Sequence, residues 1–142
     1  MTENPNTLAR DFCVQFVYQS ETLKIFHWSE THFETFVAHF GVTGEVRERT
    51  RALAVGVLDK RETLDEELAA GSKNWGVGRM GALDRIILRT AVFELKETET
   101  PPKVILNEAV ELAKKYGGDQ SGAFVNGVLD GLAKRLRKGF GK

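Results

Sequence analysis

Residues 82–97 read ALDRIILRTAVFELKE, and this stretch decides the fold. Leu83, Ile86, Ile87, Leu88, Ala91, Val92, Phe93 and Leu95 recur at helical spacing and leave no clean polar face. Such a helix is central, covered on several sides by other elements. Arg89 interrupts the apolar surface and needs a carboxylate partner, for which Glu94 or Glu108 is available. Downstream, Pro101 and Pro102 allow a helix to start but not to continue through them. Ile105, Ala109, Leu112, Ala113 and Tyr116 then place a helix over about 104–116, stopped by Gly117 and Gly118. A last helix runs over about 121–138 with Val125, Leu129, Leu132 and Leu136 as its stripe. Asn107 with Glu108, and Asn126 with Asp130, interrupt these patterns and read as polar pairs locking helix ends.

Upstream, Gly81 sets off a short helical piece at 75–80, and residues 71–74 (Gly-Ser-Lys-Asn) mark a subdomain boundary. Before it, Val46, Leu53, Val57, Leu64 and Leu68 predict one long helix over about 44–70, on the order of 40 Å in length. Phe33, Phe36, Val37 and Phe40 predict a short helix with a Thr31/Glu34 capping box and a stop at Gly41. Leu8, Phe12, Cys13, Phe16 and Val17 form the stripe of a first helix over 7–22. The expected architecture is all-α: about seven helices in two packed subdomains, residues 1–71 with three helices and 72–142 with four.

Composition agrees with a single folded domain. The 142 residues are 42% hydrophobic and 28% charged, which excludes a disordered tail or a collagen-like fibre. One cysteine, Cys13, allows no internal disulfide, so a reducing cytoplasm is the natural compartment. No apolar run is long enough to span a membrane, and residues 1–10 do not resemble a secretory signal. The formal net charge is zero, but residues 1–71 carry 7 Lys/Arg against 12 Asp/Glu and residues 72–142 carry 13 against 8. The second half can therefore present a basic surface, with Lys134, Arg135, Arg137, Lys138 and Lys142 following its last acid. The same residues also suit the C-terminal end of a helix dipole.

Catalytic constellations are missing. His27, His32 and His39 lack the spacing of a helical metal site, and Cys13 in its apolar stripe reads as a small core residue. Gly76, Gly78 and Gly81 have no preceding strand and no following Lys-Ser/Thr, so they make no phosphate loop. No cofactor is expected. One aromatic is out of place: on a helical wheel Phe124 lies roughly 110° from the stripe of the last helix. It stands just after the glycine-rich loop 117–122. Periodicity favours packing at the bundle's rim, and the alternative is a stacking platform for unpaired RNA bases.

Several blocks resemble the NusB transcription-antitermination family: Asn74-Trp75, Arg79 and Asp84–Arg89, then Phe93-Glu94-Leu95, Ile105–Lys114 and Phe124–Asp130. Ala9-Arg10-Asp11 with Gln15 and Tyr18 resembles the family's opening helix. The resemblance implies a seven-helix, two-subdomain fold and a non-enzymatic RNA-binding factor. It implies pairing with NusE, the small-subunit ribosomal protein, binding to boxA of nascent ribosomal RNA, and entry into an antitermination complex on RNA polymerase. On the matching positions, Tyr18 and Asp84 face NusE, while Phe124, Gln120 and Ala123 contact RNA. Of the family's arginine-rich first helix only Arg10 remains, and the resemblance makes it a further RNA contact. Gln120 and Ala123 stand where an acid and a base are common. Fewer cations imply weak RNA binding by the chain alone, with NusE supplying much of the affinity. Two other readings are a helper domain for a ribosomal RNA methyltransferase and a self-associating bundle whose homodimer stores the protein.

Overall fold

The computed structural model describes residues 4–71 and 80–137. Six helices make up the described chain: α1 (Pro5–Thr22), α2 (Glu30–Phe40), α3 (Gly44–Asp59), α4 (Arg61–Gly71), α5 (Ala82–Glu97) and α6 (Pro102–Leu136). No strand occurs among the described residues, so the all-α expectation holds. The chain divides into two compact units, residues 1–60 and 61–142, so the division falls ahead of the 71/72 boundary that composition suggests. The short piece expected at 75–80 falls, except for Met80, outside the described residues.

In the first unit, α1 starts on Asn4, whose side chain accepts from the Asn6 amide at 2.8 Å, with Pro5 in the first turn. Its buried stripe includes Ala9, Cys13, Phe16 and Val17. Phe16 is the centre of an aromatic cluster, with ring centroids 5.2 Å from Phe36, 5.5 Å from Phe33, 5.7 Å from Trp28 and 4.5 Å from His32. Helix α2 is capped by the Ser29 hydroxyl, which accepts from the His32 amide at 3.2 Å, rather than by Thr31. Phe33 and Phe36 are buried as expected, but Phe40 is exposed, its ring lying 4.7 Å from Phe36. From α3, Arg47 and Arg51 lie over the Phe33 ring, and Arg51 also covers Trp28. Their charges are met by Glu34 and Glu30 of α2.

The long helix expected over 44–70 is two helices. Lys60 leaves helical geometry (φ −103°, ψ 17°), and its amide closes back on the Gly56 carbonyl. Val57 and Leu64 are seven apart, a spacing that satisfies a broken pair of helices as well as a continuous one. Neither Gly nor Pro marks the break.

In the second unit α5 is central, and nine of its residues are buried, Ile86 through Val92 without interruption. Leu64 and Leu68 of α4 and Ile105, Ala109, Ala113, Val125, Leu129 and Leu132 of α6 complete the core. Each fully buried Leu or Ile there stabilises the fold by roughly 1.5–3 kcal/mol. Arg89, 2% exposed, is held by Asp65 of α4 through Nε–Oδ1 at 2.6 Å and Nη2–Oδ2 at 3.0 Å. The partner on α4 is one that spacing along the central helix does not suggest. Helix α6 joins the two helices expected at 104–116 and 121–138. Its hydrogen bonding runs on, but Gly118 (φ 83°, ψ −172°) breaks the helical geometry between them.

The basic end of α6 is engaged internally. Arg137 donates to the carbonyls of Leu95 (2.6 Å), Glu94 (3.3 Å) and Thr98 (2.7 Å), capping α5. Arg135 meets Glu67 at 3.0 Å and Lys134 meets Asp130 at 3.1 Å. Lys138 and Lys142 lie outside the described residues.

Candidate functional site

In the second unit the candidate RNA residues follow the Gly118 kink. A φ of 83° is a backbone conformation that side-chain-bearing residues rarely adopt, so glycine is required there. Beyond it Gln120 and Ala123 are exposed and Phe124 is partly exposed. At spacings of three and four they share one face, opposite buried Val125, Leu129 and Leu132. The ring of Phe124 is therefore not sealed in the core. Gly127, three residues on, is exposed too, and a Cβ there would meet no atom within 4 Å.

Asp84 lies in the first turn of α5, where a carboxylate suits the helix dipole. It is partly buried, and its Oδ2 accepts from Ser121 Oγ at 3.4 Å. Burial pushes its carboxyl above the usual range, and the Ser121 hydrogen bond opposes that rise. Ser121 was not singled out by the sequence. Gly117 carries the available signal: a Cβ at 117 would collide with Ser121 Oγ, so glycine there lets the serine fold back over the helix. On the other side Gly122 packs on Lys114, where an added Cβ would lie 2.7 Å from Cγ.

In the first unit Tyr18 is 43% exposed near the end of α1. Leu23 (57%) and Phe26 (44%), which sequence reasoning missed, are exposed just beyond it. Between them Lys24 adopts a left-handed φ of 61°. The signal was present in 23–28, where Leu23, Ile25, Phe26 and Trp28 follow one another with no helical period to bury them. Arg10 differs from the expectation of a surface phosphate contact: it is 6% exposed. Cys13, Val14 and Val17, at three, four and seven residues on, are all buried, so the wheel turns Arg10 inward with them.

The histidines do different things. His27 is exposed. His32 joins α2 to α1 through Gln19 Oε1 (2.6 Å) and Ser20 Oγ (3.4 Å), and burial holds its imidazole below the usual range. Among the described residues no group of three or more His, Cys, Asp or Glu could hold a metal ion. Cys13 is buried. Asn107, Asn126 and Asp130 are exposed, so the helix-locking polar pairs expected of them do not form as buried contacts. No described helix is long and apolar enough to cross a membrane.

The model of the NusB family matches residues 7–134. The chain belongs to the NusB family. It is 52% identical over 95 residues to the transcription antitermination protein NusB of Anaeromyxobacter dehalogenans strain 2CP-1, covering 67% of each chain. With that of Trichlorobacter lovleyi it shares 41% over 129 residues, covering 87% of each. Among solved structures it is similar to T. maritima NusB, with a TM-score of 0.79, 28% identity and coverage of 94% of this chain and 93% of that one. It is also similar to a chain of the complex of antitermination factors NusB and NusE with dsRNA, with a TM-score of 0.81 and 25% identity, covering 94% and 99%.

Proposed function

We propose that this chain is a non-enzymatic antitermination factor that pairs with NusE and holds boxA of nascent ribosomal RNA, as part of an antitermination complex on RNA polymerase in the cytoplasm. The observation that carries the reading is the outward face of α6 after its kink. There partly exposed Phe124 stands beside exposed Gln120 and Ala123, and a base can stack on the ring while the neighbours reach its edges or backbone. Asp84 and Tyr18 are the NusE contacts in this reading. A partly exposed carboxylate at the start of α5 suits a cationic group, and an exposed phenol suits an apolar one. The solved relative with NusE and dsRNA shares the fold, which supports NusE as the partner and makes duplex RNA the necessary control.

Arg10 is buried, and Lys134, Arg135 and Arg137 already face oxygens of the chain itself, which limits what these four cations offer to phosphates. The chain alone should bind RNA weakly and with a shallow salt slope, each contact contributing about 0.7 to it on single strands. Titration of fluorescent boxA RNA and of its duplex with this chain, with and without NusE, tests the reading. NusE-dependent preference for the single strand supports it. Tight, steeply salt-dependent binding by the chain alone overturns the division of labour, and indifference to both ligands overturns the function.

A further inference from the structure

We propose that the Ser121–Asp84 hydrogen bond couples the two ligand surfaces of the second unit, making Ser121 a positioning residue through which partner docking on Asp84 orders the RNA-binding face. The inference rests on the function proposed above and deepens it. Asp84 belongs to the first turn of α5, whereas Ser121 lies between Gln120 and Ala123 on the segment that carries Phe124. The Ser121 hydroxyl donates to Asp84 Oδ2 at 3.4 Å and so joins the two elements.

Three features make this contact more than incidental. First, Gly118 interrupts helical geometry, so residues 119–124 are not aligned by the preceding turns of α6 alone and need a tie of their own. Second, the tie has a space made for it: Ser121 Oγ occupies the place where any side chain at 117 would begin. Third, a carboxylate offers two oxygens, and Ser121 engages only Oδ2 in this bond. A donor from a docked protein can take Oδ1 and fix the carboxylate's rotamer. At the long end of the hydrogen-bond range, the Ser121 contact has room to tighten.

Once tightened, it holds the segment in place before RNA arrives, and RNA binding then loses less conformational entropy. Coupling of this kind is reciprocal: RNA must strengthen partner binding by the same factor. A direct touch between partner and RNA would also couple the two ligands, but it would not depend on a hydroxyl at position 121.

The test is a thermodynamic cycle on the full chain. Affinity for boxA RNA is measured with and without saturating NusE, and affinity for NusE with and without RNA. The variants are Ser121→Ala, which removes the donor, and Gly117→Ala, which displaces it. In the wild type NusE tightens RNA binding. In both variants that tightening falls by about three- to tenfold, the worth of one hydrogen bond, and the reverse coupling falls equally. A merely structural role would shift the separate affinities or the melting temperature and leave their ratio unchanged. If the ratio is unchanged in both variants, or the wild type binds both ligands without coupling, the clasp is overturned and the proposed function stands. If the wild type binds neither ligand, the proposed function falls and the clasp with it.

Discussion

Arg89 and Asp65 form a two-pronged ion pair that joins the central helix α5 to α4, with the guanidinium almost wholly buried and the carboxylate partly open to water. Removing one member of such a pair costs more than the pair contributes, because the other charge stays buried. Asp65→Ala should lower stability by about 2–3 kcal/mol, below the usual cost of a fully buried pair because water reaches Asp65. Arg89→Met with Asp65→Leu should lose less than Asp65→Ala alone. Urea unfolding followed by circular dichroism measures both; a double variant less stable than the single one would refute the argument.

Phe124→Ala should weaken boxA RNA binding by the complex with NusE about 5- to 100-fold, the worth of one stacked base. Affinity for NusE should change little. Fluorescence anisotropy reads the first and calorimetry the second. Unchanged RNA affinity would remove the stacking role.

If Asp84 meets NusE as proposed, folding and function pull on it in opposite directions. Burial raises its carboxyl above the ordinary value of 3.8, so the folded state prefers the protonated form. Its contribution to stability is present below pH 3.8 and is lost as pH rises through the raised value. Asp84→Asn should therefore melt higher than wild type at pH 7, with the difference vanishing as pH falls towards 3.8. Asp84→Lys should slow NusE association roughly tenfold through like-charge repulsion. Thermal melts across pH and stopped-flow binding check the two halves.

His32 has the opposite sign. Burial lowers its imidazole below 6.5, so the unfolded chain takes up a proton before the folded one does. Stability is fully present above pH 6.5 and declines as pH falls towards the folded value. His32→Gln should flatten the dependence of the urea midpoint between pH 7 and about 5. An unaltered slope would show that other groups cause it.

What could be read from sequence was what repeats. The all-round apolar surface of Ala82–Glu97 has one physical meaning, and the structure buries it. The stripe of α1 placed Cys13 in the core for the same reason. Contacts between distant segments were less legible. Asp65 lies 24 residues from Arg89, and Ser121 37 from Asp84, separations that no helical period encodes. The break at Lys60 left no trace because Val57 and Leu64 stand seven apart in sequence, as they would on one continuous helix. Arg10, offered as an RNA contact by the resemblance, stands at a buried position of α1 that its place on the wheel already indicated. Of the candidate site, the face bearing Gln120, Ala123 and Phe124 was legible, whereas the exposed Leu23 and Phe26 were visible only once the turn after α1 was in place.

The capping of α5 by Arg137, with Lys134 and Arg135 occupied nearby, reaches beyond the fold. Formal charge assigns the later half of the chain a marked positive excess, yet three of those cations already face oxygens of their own molecule. Their charge still reaches a polyanion at a distance, because Arg137 faces neutral carbonyls and Asp130 is already in the tally. Up close the same side chains are already engaged, so this end attracts without gripping, and selectivity is left to how long a complex survives.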